Sequence, residues 1–294
     1  MSHEPIQIPR TQMQIFRTVT ELRRWSRAAR ATAGSTVGLV PTMGALHEGH
    51  ASLIRAARAS CSHVAVSIFV NPTQFGPHED FARYPRSFQA DCALAESEGA
   101  DVIFAPSVEE LYPNGPASTL VEVPELGDRL DGASRPGHFR GVATVVAKLF
   151  AAAEPDRAFF GQKDAAQVAV LRRMVSDLRF PVEIVVCPIV RDADSLALSS
   201  RNAYLTPPQR AQALALSRAV RRVESIIATG ERRAESLLIA AREVLAAEPD
   251  VRIDYVELVN WETLKSVDTA APGSLFAVAA YVGSTRLIDN TILC

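Results

Sequence analysis

Apolar positions fall into two rhythms along this chain. Val37 to Val40, His63 to Val70, Asp101 to Phe104, Arg157 to Phe160 and Val182 to Val186 are short and apolar at most positions, the mark of strands covered on both faces. Between them, Val19 to Ala33, the stretch from His47 to Arg58, Ser87 to Glu98, Gly141 to Ala153 and Ala165 to Leu178 carry apolar residues three and four apart, the spacing of helices. Met13 to Phe16 adds a short edge strand. Strands that alternate with helices of this length require right-handed crossovers, so the pattern predicts an α/β fold with a doubly wound parallel sheet. Two stretches break the rhythm. PTQFGPHEDFARYPR, after Asn71, is too long and too rich in Pro, Gly and polar residues for a simple turn, and reads as a functional loop at the sheet's edge. Pro106 to Pro136 is the other, with Tyr112-Pro113-Asn114-Gly115-Pro116 as its strongest turn signal and Thr119 to Val123 as a candidate strand.

After about Val190 the character changes. Asp192 to Leu205 is polar and loop-like, Pro207-Pro208 opens a long Ala- and Arg-rich helix to about Thr229, and a second helix runs from Ala234 to Ala247. Three strand patterns finish the chain: Arg252 to Val259, Leu275 to Val282 and Thr285 to Leu293. A boundary near 189 is expected, with 1–189 as the larger α/β domain and 190–294 as a smaller α+β domain. The length of 294 residues and an apolar share of 48% allow both cores.

Charge and cysteine usage narrow the partners. A net charge of −2 gives no general attraction to nucleic acid or to an anionic membrane, so neither is an expected partner and any phosphate site must be local. Cys61, Cys92, Cys187 and Cys294 form no CxxC pair, which fits reduced, packing thiols in the cytoplasm. MSHEPIQIPR lacks a basic start followed by an apolar run, and no apolar stretch approaches ~18 residues.

Chemistry concentrates in VGLVPTMGALHEGHASLIRAAR, Val37 to Arg58. A strand pattern enters a Pro-Thr-Met-Gly turn and leaves as an amphipathic helix, with His47 and His50 at the helix start on the side of Leu53, Ile54 and Ala57. That side faces the sheet, which places both imidazoles over its carboxyl edge, where open α/β sheets bind ligands. Unpaired N–H groups and the positive end of the helix dipole favour an anion there, a phosphate chain above all. Taken alone, two histidines at a helix start also serve as capping groups. A zinc helix of the metalloprotease kind needs histidines four apart, whereas these are three apart with Gly49 between, so zinc is disfavoured. Lys163-Asp164 follows a strand on the same edge, and Ser199-Ser200-Arg201 sets hydroxyls beside a guanidinium, a pattern suited to a triphosphate. Asn71 and Gln74 offer amides in the loop after Val70. The clusters Arg23-Arg24, Arg172-Arg173 and Arg221-Arg222 read as solvated helix faces.

PTMGALHEGH resembles the ATP-binding motif of the pantothenate synthetase (pantoate–β-alanine ligase) family, within the HxGH nucleotidylyltransferase group. VNPTQFG, RYPR, RPGHFRGV, FFGQKDAAQ and SSRN recur in that family's order and spacing, so the resemblance covers nearly the whole chain. It implies a Rossmann-like N-terminal domain and an ATP-dependent ligase that joins pantoate to β-alanine through a pantoyl adenylate, releasing AMP and pyrophosphate. Carried over residue by residue, it implies ATP contacts from Met43, Gly44, Ala45, Leu46, His47, Glu48, Gly49 and His50, from Gly161, Gln162, Lys163 and Asp164, and from Val190, Leu198, Ser199, Ser200 and Arg201. His47, His50 and Lys163 carry the catalytic expectation. Gln74 is implied as a ligand of pantoate and of β-alanine, with Gln167, Asn71 and Arg135 on pantoate and His138 close by in the same motif as Arg135. Asp91 is a candidate carboxylate on the magnesium side, Mg²⁺ arriving with ATP rather than in a protein cage.

The resemblance further implies a homodimer. The boundary near 189 falls just before the Ser-Ser-Arg loop, so the C-terminal domain is expected to close as a lid that carries this loop onto the triphosphate. Leu198 stands where the family usually has methionine, Ser195 where glycine is common and Ala165 where an aromatic is common. None of these removes a charged or hydrogen-bonding group. The alternatives are another HxGH-type nucleotidylyltransferase, which stops at a nucleotidyl product, and a non-catalytic nucleotide-binding module. A tRNA synthetase is disfavoured, because the chain has neither a basic signal nor room for an anticodon domain.

Overall fold

The computed structural model describes residues 12–77, 79–115 and 118–293. MSHEPIQIPR, His78, Pro116 and Cys294, which figure in the sequence reading, lie outside the described residues. The elements of the larger half are β1 (Gln14–Phe16), α1 (Val19–Ala29), β2 (Val37–Thr42), α2 (Glu48–Ser60), β3 (His63–Ile68), α3 (Phe88–Ser97), β4 (Val102–Phe104), three one-turn helices α4 (Val108–Leu111), α5 (Pro124–Gly127) and α6 (Asp131–Ser134), then α7 (His138–Ala153), β5 (Arg157–Gly161), α8 (Ala165–Leu178) and β6 (Glu183–Cys187). The six strands form one parallel sheet in the order β1-β4-β3-β2-β5-β6, doubly wound as expected.

Alternation along the strands explains the two layers. Leu39, Ala65, Val102 and Phe104 face α1, α7 and α8, while Val40, Val64, Val66 and Ile103 face α2 and α3, and all of these are buried. Each large side chain taken fully out of water contributes about 1.5–3 kcal/mol, so continuous burial on both faces fixes the register of β2 and β3. Cys61 and Cys187 are buried free thiols in the second layer, and Cys92 is a half-buried one packed against it.

After β6 come α9 (Pro207–Ala228), α10 (Ala234–Ala246) and an antiparallel sheet of β7 (Val251–Asn260), β8 (Ser274–Val282) and β9 (Thr285–Ile292) in sequence order. One face of β8 packs Phe276, Val278 and Ala280 under α9 and α10. Its other face places Leu275 and Ala277, with Val259 and Leu264, in the core cluster of the larger half. Trp261 donates from its indole nitrogen to Ala165 O at 2.9 Å across the same junction.

Local differences from the sequence expectation have local causes. α7 begins at His138, three residues before Gly141, because Gly137 takes the left-handed conformation that turns the chain into the helix (φ 81°). Gly141 instead serves a close approach, since a Cβ there would stand 2.4 Å from Thr73 O. Thr119 to Val123 is not a strand: Val121 donates to Thr144 Oγ1 at 2.9 Å, so the segment hangs on a helix side chain rather than on a ladder. α1 ends at Ala29, four residues before Ala33, capped by Arg30. Among the described residues no helix is long and apolar enough to cross a membrane.

Candidate active site

The sheet order reverses between β2 and β5: the strands that follow β2 build outward to one side, and β5 and β6 to the other. Crevices at such reversals, on the carboxyl side, are where open α/β sheets take ligands. A cleft of about 220 Å³ opens there, between the ends of β2 and β5, with Met43, His50, Lys163 and Gln167 in its wall.

The β2 side is built by the turn after Thr42. Thr42 Oγ1 accepts from Gly44 N at 3.2 Å, and Gly44 and Ala45 both adopt positive φ, 83° and 50°. The tight turn is held from behind by Asp91, which is 2% exposed: its carboxylate accepts from Ala45 N at 3.0 Å, Leu46 N at 2.8 Å and Ser87 Oγ at 3.0 Å. This corrects the expectation for Asp91. Its oxygens are spent on backbone amides and a hydroxyl, so it braces the loop instead of facing a metal. Gly44, Ala45 and Leu46 shape the turn without lining the cleft, and Glu48 is exposed and paired with Arg55.

The histidines are locked by their own backbone. His47 caps α2, its Nδ1 accepting from Gly49 N at 3.1 Å, and His50 Nδ1 accepts from His47 N at 3.3 Å. With both Nδ1 atoms acting as acceptors, the proton of each neutral ring sits on Nε2, which has no partner among the described residues. The rings lie 4.2 Å apart between centroids and both line the cleft. Burial, with His47 and Lys163 adding to it, pushes the His50 pKa down to about 3, and burial with Lys163 lowers that of His47. Two neutral N–H donors therefore face the site. Gly49 leaves room for the His47 ring, since a Cβ would stand 2.9 Å from it and the ring would have to shift.

The floor comes from the loop after β3 and from α7. Gln74 is 8% exposed, its Oε1 accepting from Asn71 Nδ2 at 3.1 Å and its Nε2 3.0 Å from Met43 Sδ. Asn71 lies behind Gln74: its Nδ2 also donates to Gly141 O at 3.1 Å, and its Oδ1 accepts from Tyr112 OH at 2.8 Å and Thr73 Oγ1 at 2.9 Å. It is saturated by protein, so the expectation of a direct ligand gives way to one of support. His138 donates from Nδ1 to Gln74 O at 2.8 Å and accepts at Nε2 from Arg135 at 2.9 Å, and burial, then Arg135, lowers its pKa to about 4. Arg135 also makes a two-point contact with Glu79, at 2.8 and 2.6 Å.

The β5 side carries Lys163 and Asp164, 3.6 Å apart, with Asp164 half exposed. Opposite stands the 190–201 segment. Ser199 Oγ accepts from Arg201 N, Ser200 Oγ donates to Tyr84 OH at 3.4 Å, and Arg201 makes a two-point contact with Asp80 at 3.1 and 2.9 Å. Val190 and Leu198 line the cleft. The side chain of Gln162 turns away to Asn290 Oδ1 at 3.3 Å. Sequence reasoning does not single out Tyr84, Glu79 or Asp80, although all fall in the loop that its composition marks as functional. For a cation the donor set is thin: no cluster of three His, Cys, Asp or Glu occurs among the described residues, and Asp164 is a carboxylate on the cleft without an arginine partner. Such a set fits Mg²⁺ brought in by phosphates and water.

Comparison with known proteins places these features in a family. The sequence profile of the Pantoate-beta-alanine ligase family matches residues 14–292. The pantothenate synthetase of Acidobacterium capsulatum is 64% identical over 258 residues, 88% of this chain and 86% of that one, and that of Koribacter versatilis is 54% identical over 281 residues, 96% of each. Among solved structures, a pantothenate synthetase from Thermus thermophilus superposes with a TM-score of 0.89 at 47% identity, covering 95% of this chain and 99% of that one. A pantoate-beta-alanine ligase from Francisella tularensis, solved with beta-gamma ATP and beta-alanine, gives 0.78 at 33% identity, covering 95% and 97%.

Proposed function

Because this chain belongs to the pantoate-beta-alanine ligase family and is an ATP-dependent ligase, we propose that its cleft joins pantoate to β-alanine in two steps through a pantoyl adenylate. The observation that carries the reading is the pair of neutral Nε2–H donors of His47 and His50, facing across the β2–β5 crevice toward the side that bears Lys163.

In the first step a pantoate carboxylate oxygen attacks the α-phosphorus of ATP, a new O–P bond forms, the α–β bridge breaks and pyrophosphate leaves. Gln74 and Gln167 hold pantoate on the floor, with Asn71 fixing the amide of Gln74 and His138 its carbonyl. His47 and His50 donate to phosphate oxygens as charge develops, and donors fixed beforehand need no reorganisation at that moment. Lys163 follows the departing charge on a flexible stem. Ser199 and Ser200 face the pyrophosphate, and Arg201 joins them by exchanging Asp80 for phosphate. Asp164 would help hold a Mg²⁺ arriving with the phosphates, which would supply further charge neutralisation.

In the second step the β-alanine amine attacks the acyl carbon, the C–O bond to AMP breaks and the ammonium proton leaves to solvent. Gln74 binds β-alanine as well as the pantoyl group. Residues 190–294 act as a domain that shields the anhydride from water. The enzyme works as a homodimer in the cytoplasm.

The test is pyrophosphate release with ATP, Mg²⁺ and pantoate, with and without β-alanine. Release limited to about one equivalent without the amine, sustained with it and slowed by about 10²–10³-fold in His50→Ala and Lys163→Ala, is expected. No release with pantoate overturns the acyl donor, and sustained release without an amide product overturns the ligase step.

A further inference from the structure

β9 crosses the junction between the two sheets with two consecutive buried polar residues, Asp289 (2% exposed) and Asn290 (3%). Asn290 stands opposite Ala277 of β8, among neighbours that offer its amide nothing to bond. Its partners lie in the other half of the molecule. Nδ2 donates to Gln162 O at 3.0 Å and to Lys163 O at 2.9 Å, and Oδ1 accepts from Gln162 Nε2 at 3.3 Å. A buried amide is left desolvated and unpaired if those partners move away, so the turn and the strand are tied. Asp289 does the same for the opposite loop, taking Arg191 at 2.6 and 2.8 Å.

Lys163 is long and flexible, and among the described residues its side chain makes no closer ionic contact than 3.6 Å to Asp164. Where its ammonium group reaches is therefore set by the backbone from which it grows. That backbone takes its carbonyl contacts from a strand 127 residues further along. We propose that Asn290 is a positioning residue for the first chemical step, acting through the Lys163 turn, and that seating of β9 against residues 162–163 brings Lys163 into register with the loop that Asp289 and Arg191 hold. The two phosphate-facing loops then share one anchor, and the C-terminal sheet sets the active-site lysine as well as covering it. The inference rests on the role given to Lys163 above.

The experiment is a double-mutant cycle in the full-length protein on the single-turnover rate of pyrophosphate release with pantoate, and on the KM for pantoate. Asn290→Ala is expected to slow release by about 10- to 100-fold, the scale of an ångström-level misplacement, with the KM for pantoate moved by less than about 3-fold. In a Lys163→Ala background the same change is expected to cost less than about 3-fold, because residues acting as a unit are not additive. Gln162→Ala removes one of the three bonds and keeps the two carbonyl contacts, so a smaller loss with the same dependence on Lys163 is expected even if Asn290→Ala folds poorly. Equal losses in both backgrounds, or an unchanged rate in Asn290→Ala, overturn the inference. Absence of release by the wild-type protein overturns the reading beneath it instead.

Discussion

The two walls of the cleft are built by opposite means. On the β2 side the two imidazoles are held within one short stretch, by N–H groups two and three residues away, and Asp91 braces the turn before them. On the β5 side the support is remote: Lys163 depends on Asn290, 127 residues on, and the loop after Val190 depends on Asp289 through Arg191, 98 residues from it. A wall held by its own helix start is formed before any ligand arrives. A wall held across a junction between sheets is sensitive to how that junction is seated. One half of the site therefore supplies fixed donors and the other a placement that responds to packing.

The greatest loss is expected at the junction itself. Arg286 pairs with Asp131 at 2.7 Å and Asp254 at 2.7 Å, and Tyr255 OH donates to Asp131 at 3.3 Å. Arg286→Met leaves two carboxylates without their cation and should lower stability by about 3–5 kcal/mol, read from denaturant unfolding. The rate of pyrophosphate release should fall with it, while the His47–His50 wall stays formed. Next comes the local wall. His50→Ala removes a fixed donor and should lower the single-turnover rate by about 10²–10³-fold. An equal rate in the variant would remove the histidines from the chemistry.

Asp91→Asn should have a smaller effect. It sets an amide NH2 against one of the two backbone donors, Ala45 N or Leu46 N, which bond to different oxygens of Asp91, at a cost of about 1–3 kcal/mol in thermal stability, and raises the KM for ATP. Its Mg²⁺ half-saturation should match wild type, since the carboxylate braces a turn. A displaced Mg²⁺ curve would return Asp91 to the metal.

The last difference is in pH dependence. His50 in the folded protein titrates at about 3 and His138 at about 4, against an ordinary 6.5. Below about pH 6.5 the unfolded chain takes up protons that the native state refuses, so stability is complete above that value and is lost as the pH falls toward 4 and 3. His50→Gln should flatten this slope between about pH 6.5 and 4 in thermal unfolding. An unchanged slope would mean that His50 is already charged when folded.

Sequence rhythm alone yields the parallel sheet, because β2, β3 and β5 are apolar on both faces and little else tolerates that pattern. The histidine wall is equally legible: a strand, a Gly-containing turn and two imidazoles at a helix start hold both the groups and their geometry. The other wall is readable only as Lys163 and Ser199 to Arg201. Asn290 lies in an ordinary-looking strand, and nothing in its neighbours says that its amide bonds to residues 162 and 163. Asp91 and Asn71 show the converse error. Their residue types suit ligands, but the fold turns them onto backbone and hydroxyl groups, and only through-space contacts reveal it.

The proposed two-step reaction passes through one species that both walls would stabilise, an acyl phosphate anhydride, and oxygen tracing reports on that species directly. Pantoate labelled with oxygen-18 in its carboxylate is turned over with ATP and β-alanine, and the AMP is weighed by mass spectrometry. Transfer of one label to AMP per amide formed is expected, because the attacking oxygen stays on the α-phosphorus when the amine displaces it. Unlabelled AMP alongside amide product would rule the anhydride out.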